Sequence, residues 1–174
     1  MFEKFEYRTG IFLEDTGGMQ SSQSFGHETS YGDMSLSHAS VLLVDDYPDT
    51  LEMWALYLRA CGYVVLTAAD GNEAIRIATT ELPSIVILDL DLPGISGYEA
   101  ARRLRAGATT SQIPLIAATG YSHGRQLDEA RSAGFDAVLI KPCDPTTLVH
   151  EIERVLEAAH HDPPETGQTG THIR

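Results

Sequence analysis

The sequence has few cysteines, few basic residues and no long apolar run. Its two cysteines, Cys61 and Cys143, provide neither a metal-ligand spacing nor a disulfide framework. The sequence contains 12 Lys and Arg residues and 25 Asp and Glu residues, so its formal charge is −13. This acidic charge argues against direct binding of nucleic acid. No apolar run approaches the roughly 20 residues of a membrane span, and no signal-peptide core follows the amino terminus. We therefore expect a cytoplasmic protein that binds neither nucleic acid nor membrane.

The chain divides into three parts by composition and periodicity. Residues 1–39 carry Gly, Ser, Gln, Thr and acidic residues without a regular apolar period, which predicts a disordered or loosely packed extension. In residues 40–157, strand-like apolar runs alternate with helical patterns five times. This alternation predicts an α/β domain with a five-stranded parallel, doubly wound sheet and helices on both faces. Residues 158–174 contain two prolines, two glycines and no period, so we expect a disordered tail.

Four predicted strands end in chemically active side chains. The apolar run at residues 85–88 does not alternate, which is typical of a strand buried on both faces, and it stops at a carboxylate. In open α/β sheets, ligands bind at the rim formed by the carboxyl ends of the strands. The residues that the sequence places at this rim are Asp45, Asp46, Asp89, Thr119 and Lys141.

These residue types suit phosphoryl transfer. Clustered carboxylates repel one another unless a cation neutralises them, and oxygen ligands suit Mg²⁺. An ion held by Asp46 and Asp89 would leave the other oxygen of Asp89 free to attack phosphorus and form an aspartyl phosphate. Lys141 would then neutralise one phosphoryl oxygen, and the Thr119 hydroxyl would hydrogen-bond another. The constellation therefore predicts a Mg²⁺-dependent phospho-acceptor.

Six motifs, in this order, resemble the receiver domains of two-component response regulators. They are residues 41–46 (VLLVDD), 70–74 (DGNEA), 87–97 (ILDLDLPGISG), 114–119 (PLIAAT), 133–136 (AGFD) and 141–142 (KP). The resemblance covers essentially all of residues 40–157, and the joint match is far more specific than any single motif. It implies a flavodoxin-like sheet with strand order 2-1-3-4-5.

The resemblance also implies a role for each rim residue. Asp89 would accept phosphate from a histidine kinase or a histidine phosphotransfer protein. Asp46 and Asp89 would bind Mg²⁺, with Asp45 acting nearby and the main-chain carbonyl of Asp91 completing the set. Thr119 would move onto the phosphoryl group and Lys141 would pair with it. The Lys141–Pro142 peptide is a candidate for the cis form.

Two positions depart from, or vary within, the family pattern. Val138 stands where many receivers carry a Tyr or Phe that reports the movement of the threonine, so switching by that aromatic side chain is not expected here. Tyr121 occupies a position that tunes dephosphorylation in the family, and a bulky side chain there predicts a longer-lived phosphoryl group.

Other residues receive purely structural interpretations. Trp54 is expected in the core or on a helix surface. Arg102, Arg103 and Arg105 are expected to form a solvated helix face. The histidines show no ligand spacing, so none is expected to donate phosphate.

Two other functions compete with the receiver interpretation. Asp89-Leu90-Asp91 resembles the nucleophile motif of haloacid-dehalogenase-type phosphohydrolases, but there the second acidic pair follows the lysine, whereas Asp45 and Asp46 precede it here. A pseudo-receiver that signals without phosphate would lack an acid, the threonine or the lysine, and all are present. We therefore expect a stand-alone receiver without enzymatic output that acts on a downstream protein target, with homodimerisation left open.

Overall fold

The computed structural model describes residues 39–120 and 124–161, which form five strands and five helices in strict alternation. In chain order these are β1 (Ser40–Val44), α1 (Pro48–Ala60), β2 (Val64–Ala68), α2 (Gly71–Glu81), β3 (Ile85–Asp89), α3 (Gly97–Ala106), β4 (Leu115–Thr119), α4 (Gly124–Ala133), β5 (Ala137–Ile140) and α5 (Pro145–His161).

The five strands form one parallel sheet in the order β2-β1-β3-β4-β5. The predicted fold class and the strand order expected from the resemblance are both confirmed. The order reverses between β1 and β3, so the chain winds first toward one edge and then toward the other. Such a reversal opens a crevice at the carboxyl ends of the central strands, which is the usual ligand position in this architecture.

Two apolar clusters cover the two faces of the sheet. One includes Leu42, Val86, Leu88 and Ala117 and extends into α2, α3 and α4. The other takes the alternate strand residues and packs them against α1 and α5. Because β3 lies between both layers, all five of its residues are buried. This explains why its sequence is continuously apolar and not alternating.

Local signals set several helix ends. Asp70 caps α2 by accepting hydrogen bonds from the N–H groups of Asn72 and Glu73 at 2.9 Å each. The Glu73 carboxylate in turn accepts from Ala69 N–H at 3.1 Å, which completes a reciprocal cap. At the carboxyl end of α1, Gly62 follows the last turn with φ 94°, a left-handed conformation that glycine adopts without strain.

The carboxyl-terminal boundary differs from the sequence prediction. Helix α5 continues to His161, so its last four residues lie within 158–174, the segment that was expected to be a disordered tail. The added residues include two alanines, which favour helix, and His160 Nδ1 lies 2.6 Å from the Leu156 carbonyl one turn earlier. The expected extension at residues 1–38 and the expected tail from 162 onward lie outside the described residues.

Arg105 corrects the expectation of a fully solvated arginine face on α3. Its guanidinium donates to the carbonyl oxygens of Ser111, Ile113 and Gly134 at 2.6–2.9 Å and to the Asp136 carboxylate at 2.8 Å. These contacts join α3 to the segments on both sides of β4. Within the described ranges, no helix is long and apolar enough to cross a membrane.

Candidate functional site

Lys141 joins two acidic strand ends. Its Nζ donates to Oδ2 of Asp45 and to Oδ2 of Asp89, both at 2.6 Å. Asp45 directly follows β1, and Asp89 is the last residue of the neighbouring strand β3. Lys141 directly follows β5. The expectation that these strand ends converge is therefore met by direct contact.

Backbone amides hold the second oxygen of each bridged carboxylate. The N–H of Tyr47 donates to Oδ1 of Asp45 at 2.9 Å, and the N–H of Asp91 donates to Oδ1 of Asp89 at 3.0 Å. Both acids are buried, with 5 % and 8 % of their surface exposed. Each carboxylate is thus fixed in orientation by one ammonium and one amide.

Asp46 completes an acidic triad with Asp45 and Asp89. One carboxylate oxygen from each of the three residues lies within 4.8 Å of the others. Oδ1 of Asp46 is buried, and among the described residues it has no hydrogen-bond partner. A buried carboxylate oxygen without a partner is costly unless a cation satisfies it. The donor set is all oxygen and carries more negative charge than Lys141 can balance, so the three residues fit a hard divalent ion such as Mg²⁺.

Thr119 ends β4 directly beside the lysine. The residue is buried, and its carbonyl accepts a hydrogen bond from the Lys141 N–H at 2.7 Å. The Lys141–Pro142 peptide is cis, as the resemblance predicts. Thr119 and Lys141, whose side chains were expected to contact a phosphoryl group, are therefore hydrogen-bonded to each other through their backbones.

Asp91 lies at the rim of the site and not inside the triad. Its side chain is exposed and is not among the three carboxylates whose oxygen atoms lie within 4.8 Å of one another. Partial burial, followed by the charge of Asp89, raises its pKa, and Asp46 adds to this while Lys141 opposes it. The role expected for Asp91 runs through its main-chain carbonyl and stays a prediction.

The charges of the site also act on Lys141. Burial by itself lowers the pKa of the ammonium, but the hydrogen bonds to Asp45 and Asp89 and their charges outweigh burial, so the pKa lies above its ordinary value. Lys141 therefore remains protonated at neutral pH, which it must do in order to balance carboxylate or phosphoryl charge.

Gly97 brings the amino end of α3 against the site. A Cβ atom at this position would lie 2.1 Å from the Asp89 carbonyl oxygen, which is a forbidden distance. The Gly97 N–H donates to the Leu90 carbonyl at 3.0 Å. Only glycine allows this approach, and the only sequence signal for it is the position of Gly97 at the end of the motif at residues 87–97.

The structure describes Val138 but not Tyr121, the two positions at which the sequence departs from or varies within the family pattern. Val138 is partly buried in β5, pairs with Ala117 of β4 and packs against the cluster on the α2, α3 and α4 face. The structure thus places an aliphatic side chain, and no aromatic one, at this position. Tyr121 lies outside the described residues, so the expectation of a long-lived phosphoryl group stays a prediction.

Trp54, which was expected only in the core or on a helix surface, also lies beside the acidic site. The indole is 7 % exposed and lines a small cavity together with Thr50, Leu51, Asp45 and Lys141. The cavity lies on the α1 side of the sheet, next to the acidic triad. Since the sequence contains one tryptophan, this residue is a natural spectroscopic probe of the site.

Comparison with known proteins identifies relatives of this arrangement. The family model described as "Response regulator receiver domain" matches residues 41–153. Protein PilH of Pseudomonas aeruginosa is 34 % identical over 118 residues, which are 68 % of this chain and 98 % of PilH.

Solved structures give the same result. The chemotaxis protein CheY4 of Vibrio cholerae matches with a TM-score of 0.66 at 31 % identity, covering 68 % of this chain and 98 % of CheY4. The receiver domain of sensor histidine kinase PA1611 from Pseudomonas aeruginosa PAO1 matches with a TM-score of 0.65 at 30 % identity, covering 69 % and 98 %. That structure is described with a magnesium ion coordinated in the active-site cleft.

Proposed function

The chain belongs to the response regulator receiver domains, and on this premise we propose that it signals by accepting a phosphoryl group on Asp89. One observation carries the proposal: the ammonium of Lys141 lies 2.6 Å from both Asp45 and Asp89. A buried carboxylate nucleophile and a cation that can balance the charge of the incoming phosphoryl oxygens are thereby held in one place.

Asp89 supplies the nucleophile. One of its carboxylate oxygens forms the new bond to phosphorus as the bond from phosphorus to the nitrogen of a donor phosphohistidine breaks, and the electron pair leaves with the imidazole. The Asp91 N–H, 3.0 Å from Oδ1, fixes the orientation of the attacking group. Lys141 neutralises negative charge on the phosphoryl oxygens and keeps its proton throughout.

Thr119 is proposed to bind the phosphoryl group through its hydroxyl. It is the last residue of β4, and its carbonyl accepts from the backbone of Lys141 at 2.7 Å. A movement of the threonine toward the phosphoryl group therefore pulls on the residue that carries the ammonium. This coupling is a route from the site to β5.

Mg²⁺ fits the same proposal. Asp45, Asp46 and Asp89 would hold the ion with their side chains, and Asp91 with its carbonyl oxygen. When bound, the ion supplies positive charge that lowers the repulsion between the carboxylates and the incoming phosphoryl group. The partnerless buried oxygen of Asp46 is the observation that supports this assignment.

The partners follow from the chemistry of the donor. A histidine kinase or a histidine phosphotransfer protein would deliver the phosphoryl group in the cytoplasm, and a downstream protein would read the resulting conformational change. The acidic net charge of −13 disfavours nucleic acid as the direct target. In this proposal the domain acts as a signalling domain.

The proposal is tested by intact mass after incubation with acetyl phosphate and Mg²⁺. We expect one added phosphoryl group on the wild-type chain, and none when Mg²⁺ is omitted or when Asp89→Asn replaces the nucleophile. Asp128→Asn, at an exposed acid on α4, is the matched control and should be labelled like wild type. Failure to form an adduct in a folded protein would favour the phosphate-independent interaction module, whereas turnover of a generic phosphate ester would favour the phosphohydrolase.

A further inference from the structure

Tyr47 stands at the amino end of α1 and supports neither the helix nor the core with its side chain. It occupies the cap position of the helix, and its side chain makes no capping hydrogen bond. Caps favour Ser, Thr, Asp and Asn, whose side chains satisfy the free N–H groups of the first turn, so tyrosine is a poor helix cap. The ring belongs to neither apolar cluster, and 67 % of the residue is exposed. Among the described residues, no structural contact accounts for an aromatic side chain at this position.

The backbone of Tyr47 is fixed beside the acidic site. Its N–H donates to Oδ1 of Asp45 at 2.9 Å, and its carbonyl accepts from the Leu51 N–H at 3.1 Å. The other oxygen of Asp45 accepts from the Lys141 ammonium, which also donates to Asp89, both at 2.6 Å. One carboxylate and one ammonium therefore join the Tyr47 amide to the expected phospho-acceptor.

An exposed aromatic ring at this rim suits a flat, positively charged group. A residue that breaks a local sequence rule beside a functional site is a candidate for a role in that site. A phosphohistidine donor brings its imidazole ring to this rim, because its phosphorus must reach Asp89. Aromatic faces attract other flat rings and attract cations. The carboxylates of Asp45 and Asp46 add negative charge, which favours the protonated form of an incoming imidazole.

We propose that Tyr47 is a specificity-determining residue that stacks on the imidazole of the phosphohistidine donor. This inference rests on the proposed function, since it requires Asp89 as the acceptor. In the transfer, an Asp89 oxygen bonds to phosphorus, the phosphorus–nitrogen bond breaks, and its electron pair stays on the imidazole nitrogen. A donor ring that is protonated on its second nitrogen leaves as neutral imidazole, so the protein supplies no proton. Contact with Tyr47 holds the ring in line for this displacement and therefore speeds transfer only from donors that carry a ring.

The test compares two small donors that differ by the ring. Phosphoimidazole and phosphoramidate both transfer the phosphoryl group from nitrogen, but only phosphoimidazole carries an imidazole. Labelling rates with Mg²⁺ are measured by intact mass, and the ratio of the phosphoimidazole rate to the phosphoramidate rate is compared among variants. Tyr47→Phe should keep the wild-type ratio, whereas Tyr47→Ser should lower it by about three- to ten-fold, as expected for the loss of one aromatic contact. Leu56→Ala, at a similarly exposed position on α1 (69 %), is the control and should keep the wild-type ratio.

Thermal unfolding separates this role from a structural one. Tyr47→Ser keeps the main-chain N–H that binds Asp45 and gives α1 a preferred cap, so its melting temperature should equal or exceed that of wild type. A wild-type ratio in Tyr47→Ser would overturn the proposal alone. A lower melting temperature together with a wild-type ratio would also overturn it and would assign Tyr47 to the fold. A wild-type chain that neither donor labels would overturn the proposed function and this inference together.

Discussion

The ammonium of Lys141 lies 2.6 Å from Oδ2 of Asp89, although 52 residues separate them along the chain. The contact exists because β3 and β5 run parallel and flank β4, so their carboxyl ends open onto the same rim. It places the expected nucleophile and its counter-charge together before any phosphoryl group arrives.

Replacing Lys141 with Met should slow labelling by acetyl phosphate by about 100-fold, because the developing phosphoryl charge loses a preorganised cation. The substitution also leaves the buried carboxylates of Asp45 and Asp89 without their ammonium. Without Mg²⁺ the variant should melt below wild type, and Mg²⁺ should recover more of the melting temperature for the variant than for wild type. Rates are measured by intact mass and stability by thermal unfolding. Equal labelling rates for the Lys141→Met variant and wild type would contradict a role for Lys141 in phosphoryl transfer.

Mg²⁺ should change the emission of Trp54, because the indole shares a cavity with Asp45 and Lys141. A fluorescence titration then measures ion affinity. Asp46→Asn, which alters the partnerless oxygen, should weaken that affinity by at least about ten-fold. Asp49→Asn, an exposed acid in the first turn of α1, is the control and should titrate like wild type. Similar affinities for the two variants would contradict the ion-binding role of Asp46.

Arg105→Ala should lower the free energy of unfolding by about 2 kcal/mol, since it removes hydrogen bonds to three carbonyls and a carboxylate. Its neighbour Arg103 makes an exposed pair with Glu99, so Arg103→Ala should cost less than about 0.5 kcal/mol. Urea unfolding of both variants makes the comparison. An effect of equal size would mean that the part-buried hydrogen bonds of Arg105 contribute no more than the exposed pair of Arg103 and Glu99.

Asp144 should contribute acid-sensitive stability to α5. Hydrogen bonds from the Thr146 hydroxyl, then from the Thr147 N–H and hydroxyl, lower its pKa from 3.8 to about 2. A depressed folded-state pKa stabilises the fold fully above pH 3.8, and this contribution disappears as the pH falls toward 2. Asp144→Ala should therefore be less stable than wild type at pH 7, with a difference that narrows below pH 4. Urea midpoints across this range check the trend, and a difference independent of pH would exclude the ionised carboxylate as its source.

Sequence patterning predicted the strands and helices, and it predicted which strand ends meet at the candidate site. Continuous apolar runs identified β1 and β3, since a strand between two helical layers has no polar face to display. Strand ends that carry Asp45, Asp89 and Lys141 could be predicted to converge, because parallel strands end at one rim. Helix α5 extends to His161, four residues past the predicted domain end at 157, since helix ends depend on local contacts that periodicity does not specify.

The sequence alone therefore determined the fold class, the order of the elements and which side chains reach the rim formed by the carboxyl ends of the strands. Periodicity and residue type encode these properties locally. Only the tertiary structure decided that Lys141 bridges two carboxylates, that an Asp46 oxygen is left without a protein partner, and that Arg105 joins three segments. Such relationships depend on distances between residues far apart in the chain, and packing sets those distances.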